Sequence, residues 1–152
     1  MKQMKCKNIY NKPFPKDTVV KDVVRDNPAH TGPFVGALDF SVILGTPVLV
    51  PLDGEIVEVV DIHEKYGPSP LFAKHLNYIT IKHSHGEYSQ LAHLAKKSSL
   101  VKVGDKVREG QEIAVTGNSG WMTEPHLHMI VFKLTKNKVG FQGLETRFKN
   151  SS

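Results

Sequence analysis

The chain has 152 residues, of which 39% are hydrophobic and 23% charged, an ordinary balance for a single globular domain. Its net charge of +5 comes without a basic patch interleaved with aromatic residues, so nucleic acid is not an expected partner. The single cysteine, Cys6, excludes an internal disulfide and a Cys-rich zinc site, and no apolar run approaches the roughly 18 residues of a membrane span.

The N-terminal part is rich in Lys, Asn and Pro, and residues 1–26 are predicted to form an extended lead-in to a domain of residues 27–152. Within it, Thr18–Val24 is predicted to form a short strand, and Cys6 is expected in a mobile tail. The first 20 residues lack the apolar stretch of a signal peptide. Two settings therefore stay open: a protein inside the cell, or an exported one whose export segment is missing from this chain.

The segment from residue 27 to residue 40 is rich in Pro and Gly and is predicted to be a loop. His30 opens this loop, and Asp39 lies where it becomes a strand that begins near Leu38. A loop can bring two groups nine positions apart onto one point, so His30 and Asp39 are candidate co-ligands of a metal. The alternative is that Asp39 forms a turn, the commoner role of Asp in such loops.

From Thr46 onward the pattern is that of β-structure. The predicted strands are Pro47–Val50, Glu55–Ile62, Asn77–His83, Glu87–Leu94, short strands within residues 101–117, and the apolar run that follows Pro125. Tyr66–Lys74 is predicted as a surface loop, Lys96–Leu100 as one helical turn, and the segment after the last strand, with Gly140 and Gly143, as coil. Short strands every 8–12 residues with almost no helical periodicity predict an all-β sandwich or barrel.

The last predicted strand carries His126 and His128, two residues apart. Side chains alternate along a strand, so both imidazoles lie on one face while Leu127 points to the other. Both could bind one metal, or one could bind while the other lies beside the metal's open position. A pair of polar residues on an exposed face is the plain alternative.

The other histidines divide into two groups. His63 and His75 flank the Pro-containing loop and are expected at the surface, while His83 and His85 are expected to be structural. The candidates that remain are His30, His93, His126 and His128, together with Asp39. Zinc takes nitrogen and oxygen ligands tetrahedrally, and three protein ligands from this set leave at least one histidine for acid–base work.

Several motifs occur in a fixed order that resembles the lysostaphin/LytM-type zinc metallopeptidases over roughly residues 27–133. They are Ala37-Leu38-Asp39-Phe40 after His30, Gly45-Thr46-Pro47-Val48, Asp53-Gly54-Glu55-Ile56-Val57, Asn77-Tyr78, Leu91-Ala92-His93-Leu94, Val103-Gly104-Asp105-Lys106-Val107, Gly110-Gln111, Gly117-Asn118-Ser119-Gly120 and Pro125-His126-Leu127-His128. The resemblance implies an all-β duplicated-hybrid-motif fold with little helix, and one zinc ion per chain. It also implies hydrolysis of peptide cross-links in bacterial peptidoglycan by a zinc-activated water, in the cell envelope or outside the cell. We expect a monomer.

The same resemblance implies a role for each candidate residue. His30, Asp39 and His128 correspond to the zinc ligands, and His93 and His126 to the catalytic histidines, with the division of labour between those two left open. Leu91 replaces the tyrosine common two positions before His93, and two further features depart from the common pattern of the family. Eight residues separate His30 from Asp39, where many members have three, and Glu124 stands where glycine usually precedes the Pro-His-Leu-His run.

Two other classes of function are compatible with parts of the sequence. One is a non-catalytic regulator on the same fold that binds cell wall or a partner enzyme. The other is a carrier domain, because residues 103–111 also resemble biotinyl and lipoyl modules. Val115-Thr116-Gly117-Asn118 offers no lysine to modify in the hairpin after Ile113, which argues against such a carrier, and a phosphocarrier would instead be labelled on histidine.

Overall fold

The computed structural model describes residues 4–25 and 30–149, and within these ranges it is almost entirely β-structure. The strands are β1 (Val23–Val24), β2 (Leu38–Phe40), β3 (Pro47–Leu49), β4 (Gly54–Val60), β5 (Tyr66–Gly67), β6 (Tyr78–Lys82), β7 (Glu87–Ala92), β8 (Lys106–Val107), β9 (Glu112–Val115), β10 (Gly120–Trp121), β11 (Leu127–Leu134) and β12 (Phe141–Leu144). Short 3-10 turns lie at Gly32–Phe34, Pro70–His75 and Ser84–Gly86. The all-β prediction is confirmed. No helix in the described ranges has the length and apolarity that crossing a bilayer requires.

The architecture is built on one eight-stranded antiparallel sheet in the order β1-β2-β11-β7-β6-β4-β8, with β12 added beside the second half of β11. Strand β11 lies at its centre, and Leu127, Met129 and Val131 on its inner face are fully buried. Two small sheets, the antiparallel pair β3-β9 and the parallel pair β5-β10, complete the fold. Because His128 alternates with the buried residues, it points away from the core.

The N-terminal segment contributes directly to the hydrophobic core. Cys6 and Tyr10 are buried in the same cluster as Leu38 and Met129. The expectation that Cys6 lies in a mobile tail is wrong. The N–H of Cys6 donates to the carbonyl of Glu145 at 3.0 Å, its Sγ accepts from the N–H of Arg147 at 3.1 Å, and burial raises the pKa of the thiol.

A buried carboxylate fastens this segment to the sheet. Glu87, the first residue of β7, accepts hydrogen bonds from the backbone N–H groups of Lys7 and Asn8, from the Asn8 side-chain amide and from the Tyr10 hydroxyl. Burying a carboxylate costs free energy unless hydrogen bonds satisfy its oxygens. Each of these bonds joins residues about eighty positions apart in the chain. Residues 7–10 are therefore tied to the main sheet.

The structure corrects two local predictions. Lys96–Leu100 is not a helical turn, because the N–H of Lys97 donates to the carbonyl of Asp61 and Lys97 has a positive φ of 59°. The segment predicted as coil after the last long strand contains β12, which pairs with β11 from Val131 to Leu134. Position 143, inside β12, has room only for glycine, because a Cβ there would collide with the carbonyl oxygens of Val35 and Pro33.

Two further predictions are met only in part. Within Thr18–Val24, just the last two residues form a strand, β1, which pairs with β2. Within the predicted surface loop Tyr66–Lys74, Tyr66 and Gly67 form β5 and the rest leads into a 3-10 turn.

Candidate metal centre

Three of the candidate side chains converge where β2 and β11 pair. The register places His128 directly opposite Asp39, so their side chains share one face of the sheet. His30 approaches from the loop before β2, with its Nδ1 2.9 Å from the carbonyl oxygen of Arg25, so that Nε2 faces Asp39. Nε2 of His30 lies 3.3 Å and Nδ1 of His128 3.0 Å from Oδ1 of Asp39.

These three residues fit a zinc ion. Each offers one ligand atom, and the three atoms lie within 4.8 Å of one another. Zinc–nitrogen and zinc–oxygen bonds of about 2.0–2.1 Å in tetrahedral geometry separate neighbouring ligand atoms by about 3.3 Å. The two distances to Asp39 are close to this value. Two imidazoles and one carboxylate are also a donor set that suits zinc and leaves a fourth position free.

The carboxylate of Asp39 is kept ionised by its neighbours. Burial alone would raise its pKa, but hydrogen bonds from His128 and His30 and the charges of His128 and His126 hold the pKa well below its usual range. Asp39 therefore offers a charged carboxylate that would need no deprotonation before binding a cation.

His93 and His126 lie beside this cluster, each fixed through one ring nitrogen. Nδ1 of His93 donates to the carbonyl oxygen of Ser119 at 2.6 Å, and Nδ1 of His126 donates to that of Glu124 at 2.9 Å. Donation through Nδ1 leaves Nε2 of each ring as an acceptor. Nε2 of His126 is 3.6 Å from Oδ1 of Asp39, and the rings of His93 and His126 are 4.3 Å apart between centroids.

The backbone at His93 is held in an uncommon conformation. Its φ of +69° lies in the left-handed region, which non-glycine residues visit rarely. The N–H of His93 donates to Asn77, and its carbonyl accepts from Gly117, so two segments fix the turn. Strained backbone conformations of this kind occur often at functional sites, where contacts from the surrounding structure hold them in place.

Burial sets the protonation of His93. It lowers the pKa of the imidazole to about 3, with a further contribution from the charges of His126 and His128. At neutral pH His93 is therefore a neutral imidazole with one acceptor nitrogen.

The five candidate residues line one cleft of about 600 Å³. Its other lining residues are Phe34, Ala73, Leu76, Gln90, Trp121, Met122 and Thr123. The amide of Gln90 is fixed at 3.1 Å on the Thr80 hydroxyl, which itself donates to Glu58 at 3.1 Å. Sequence reasoning did not single out Gln90. The alternation of β7 places it on the same face as Ala92, the residue opposite His128, and this was the available signal.

The remaining histidines lie elsewhere. His83 is buried, with hydrogen bonds to the carbonyl of Asp53 and the hydroxyl of Ser89, as expected of a structural residue. His85 lies exposed in the following turn and contacts Asn8. The rings of His63 and His75 contact each other at 5.6 Å, and neither residue lines the cleft.

The sequence pattern of Peptidase family M23 matches residues 34–140, well over half of the chain. The chain belongs to Peptidase family M23. The matched range contains Asp39, His93, His126 and His128, whereas His30 precedes it.

Curated relatives of this M23 chain are much longer than the chain itself. It is 35% identical over 125 residues to an uncharacterized metalloprotease of Buchnera aphidicola, a match that covers 82% of this chain and 28% of the relative. It is 39% identical over 90 residues to the peptidoglycan DD-endopeptidase ShyA of Vibrio cholerae, covering 59% of this chain and 18% of the relative. The M23 chain thus spans less than a third of the length of either relative.

A solved structure agrees with the assignment. A zinc-containing peptidase from Vibrio cholerae superposes with a TM-score of 0.58 at 30% identity, covering 82% of this chain and 36% of that one. Family membership and this similarity imply metal dependence, and the group of His30, Asp39 and His128 is where a metal could be held.

Proposed function

We propose that this M23 chain is a zinc metalloendopeptidase that hydrolyses peptide bonds in the cross-links of bacterial peptidoglycan. One Zn²⁺ per chain would be held by His30, Asp39 and His128. The observation that carries the proposal is the convergence of these ligand atoms beside two histidines that are each anchored through Nδ1.

The substrate class is supported by the relatives and by the cleft. One relative, 39% identical over 90 residues, is named a peptidoglycan DD-endopeptidase. The cleft of about 600 Å³ falls within the usual range for small-molecule and peptide sites. Its aliphatic and aromatic walls, with Gln90 as a fixed amide, suit a peptide backbone with small side chains.

Zinc, when bound, supplies a Lewis acid that polarises a carbonyl and lowers the pKa of water toward about 7. The chain's own residues supply the rest. With Asp39 ionised and both ligand histidines neutral, the three residues would contribute one negative charge, so a divalent ion held there would keep a net positive charge able to attract an oxyanion. The apolar wall of the cleft excludes bulk water and strengthens that attraction.

The two remaining histidines are suited to moving protons. Each donates Nδ1–H to a backbone carbonyl, so each presents Nε2 in a defined tautomer. A ring that accepts the proton of the attacking water at Nε2 can later return it to the leaving amine. Because the rings are 4.3 Å apart, a proton on one disfavours a proton on the other.

The proposal is tested by digesting several purified peptidoglycans that differ in their cross-link with the zinc-loaded protein. New amino and carboxyl termini are identified by mass spectrometry. We expect cleavage at a peptide bond of at least one type of cross-link, abolished by a chelator and restored by zinc. Intact cross-links in every peptidoglycan, with stoichiometric zinc bound, would refute the enzymatic proposal and favour a binding function.

A further inference from the structure

A second cavity of about 510 Å³ lies next to the catalytic cleft. Glu124 and Pro125 line this second cavity, and His126, the next residue, lines the cleft. The two cavities therefore share the short segment from Glu124 to His126. We call the second cavity the side groove.

The walls of the side groove are preformed. One wall is the segment 17–21, which is fixed where Lys21 N–H donates to the carbonyl of Ser41 at 3.0 Å. The facing wall is the segment 41–47, in which the carbonyl of Ile43 accepts hydrogen bonds from the hydroxyls of Thr46 at 2.6 Å and Thr116 at 2.9 Å. A binding site whose walls are already fixed loses little conformational entropy when it is filled.

The lining is aliphatic with charged groups. Val19 is 76% exposed and Ile43 is 73% exposed, one on each wall, while Val42 is buried behind them. Asp17, Lys21 and Glu124 supply the charges. The apolar surface of these two side chains, which faces solvent, is removed from water only when a ligand fills the groove.

We propose that the side groove binds the peptide stem of the substrate beyond the residues that occupy the catalytic cleft. This inference rests on the proposed function, since it concerns the same substrate. A peptide in the cleft would reach the side groove by passing Pro125, because Pro125 lines the groove and the next residue, His126, lines the cleft. Aliphatic walls fit the small apolar side chains of an extended stem, and the charged groups can pair with its ionic groups.

The wall formed by residues 17–21 precedes residues 34–140, the range that matches the family pattern. The groove is thus built in part from residues outside that matched range. It is a feature by which this chain selects long substrates over short ones, because binding energy from residues remote from the scissile bond adds to the energy gained in the cleft.

The test compares a cross-linked peptide with complete stems and a short peptide that ends two residues from the scissile bond. The variant is Val19→Ser/Ile43→Ser, and the control is Ile62→Ser/Leu71→Ser, which changes two side chains that are 69% and 81% exposed and lie outside the groove. We expect kcat/KM for the long peptide to fall about tenfold in the groove variant, with the short peptide unaffected. The control should match the parent with both peptides.

Binding separates this inference from the proposed function. In the His126→Ala background, calorimetry measures the Kd of both peptides without turnover, and the groove variant should weaken the long peptide alone by about the same factor. Equal Kd values for the long peptide with and without the groove substitutions would overturn the inference. A parent that cleaves neither peptide would refute the enzymatic proposal, while a groove-dependent Kd would still support the groove.

Discussion

The imidazole rings of His93 and His126 lie 4.3 Å apart between centroids, tilted by 58°, and each is anchored through Nδ1 on the carbonyl of a neighbouring loop residue. The two anchors, Ser119 and Glu124, belong to the segment that joins β9 to β11. Neither ring belongs to the mutually close group of His30, Asp39 and His128. Geometry thus separates a pair suited to proton transfer from a group suited to metal binding.

The first prediction concerns the metal. His30→Ala, Asp39→Ala and His128→Ala should each lose the zinc that the parent carries at about one per chain, because two ligands do not hold a catalytic zinc. Elemental analysis after dialysis measures this. Zinc should also raise the Tm of the parent and leave that of the three variants unchanged.

The matched control for these variants is His63→Ala, whose side chain contacts His75 away from the cleft and should not affect zinc content. If His128→Ala held zinc as tightly as the parent, the ligand assignment would be wrong.

The second prediction concerns the histidine pair. His126→Ala and His93→Ala should keep stoichiometric zinc, yet each should lose about 10²–10⁴-fold in kcat, the usual contribution of a positioned acid or base. The double variant should be little worse than either single variant, because groups that serve one step are not additive. Steady-state kinetics with the long cross-linked peptide, paired with zinc analysis, makes the measurement.

Multiplicative losses in that double variant would instead mean that the two histidines act in separate steps. His126→Ala should also melt close to the parent, since its ring is only partly buried. Loss of zinc from His126→Ala with retention in His128→Ala would reverse the two roles.

The third prediction concerns the N-terminal attachment. Glu87→Gln should lower the free energy of unfolding by about 2–4 kcal/mol, because an amide cannot accept the four hydrogen bonds that the buried carboxylate accepts. Urea unfolding gives the value. The control Glu64→Gln removes an exposed partner of Lys96 and should change stability by no more than about 0.5 kcal/mol. Equal stability of the Glu87 and Glu64 variants would show that the Glu87 carboxylate does not stabilise the attachment of residues 7–10.

The fourth prediction concerns pH. Burial lowers the pKa of His83 below its ordinary 6.5, against the opposing influence of the Asp53 carbonyl and the Glu87 charge. The unfolded chain therefore takes up a proton at a higher pH than the folded chain, so His83 makes stability fall as pH is lowered through and below 6.5. Urea unfolding of metal-free protein should show a smaller loss between about pH 7.5 and 5 in His83→Gln than in the parent. An identical pH dependence in both would contradict the expectation.

Much of the fold and of the candidate site could be predicted from sequence because their signals are local. Alternation along β11 was enough to place His126 and His128 on one side and Leu127 on the other. The loop before β2 was recognisable from its Pro and Gly, and this brought His30 and Asp39 into consideration. Both signals come from residues that are close together in the chain, so they can be read from the sequence.

What could not be predicted depends on contacts between distant segments. Gly143 disfavours a strand locally, yet β12 forms because residues 33–35 pack against that glycine. The burial of Cys6 depends on partners near residue 147, and the orientation of His93 depends on a backbone carbonyl of Ser119. Backbone carbonyls belong to every residue, so no sequence pattern marks the ones that orient a catalytic ring.

The most direct test of the account is anomalous diffraction at the zinc edge from crystals of the zinc-loaded protein. We predict one peak per chain within about 2.0–2.2 Å of Nε2 of His30, a carboxylate oxygen of Asp39 and Nδ1 of His128, with His93 and His126 near it but not bonded to it. A peak bonded to His93 or His126 in place of one of those three ligands, or no peak in the cleft, would contradict the central claim.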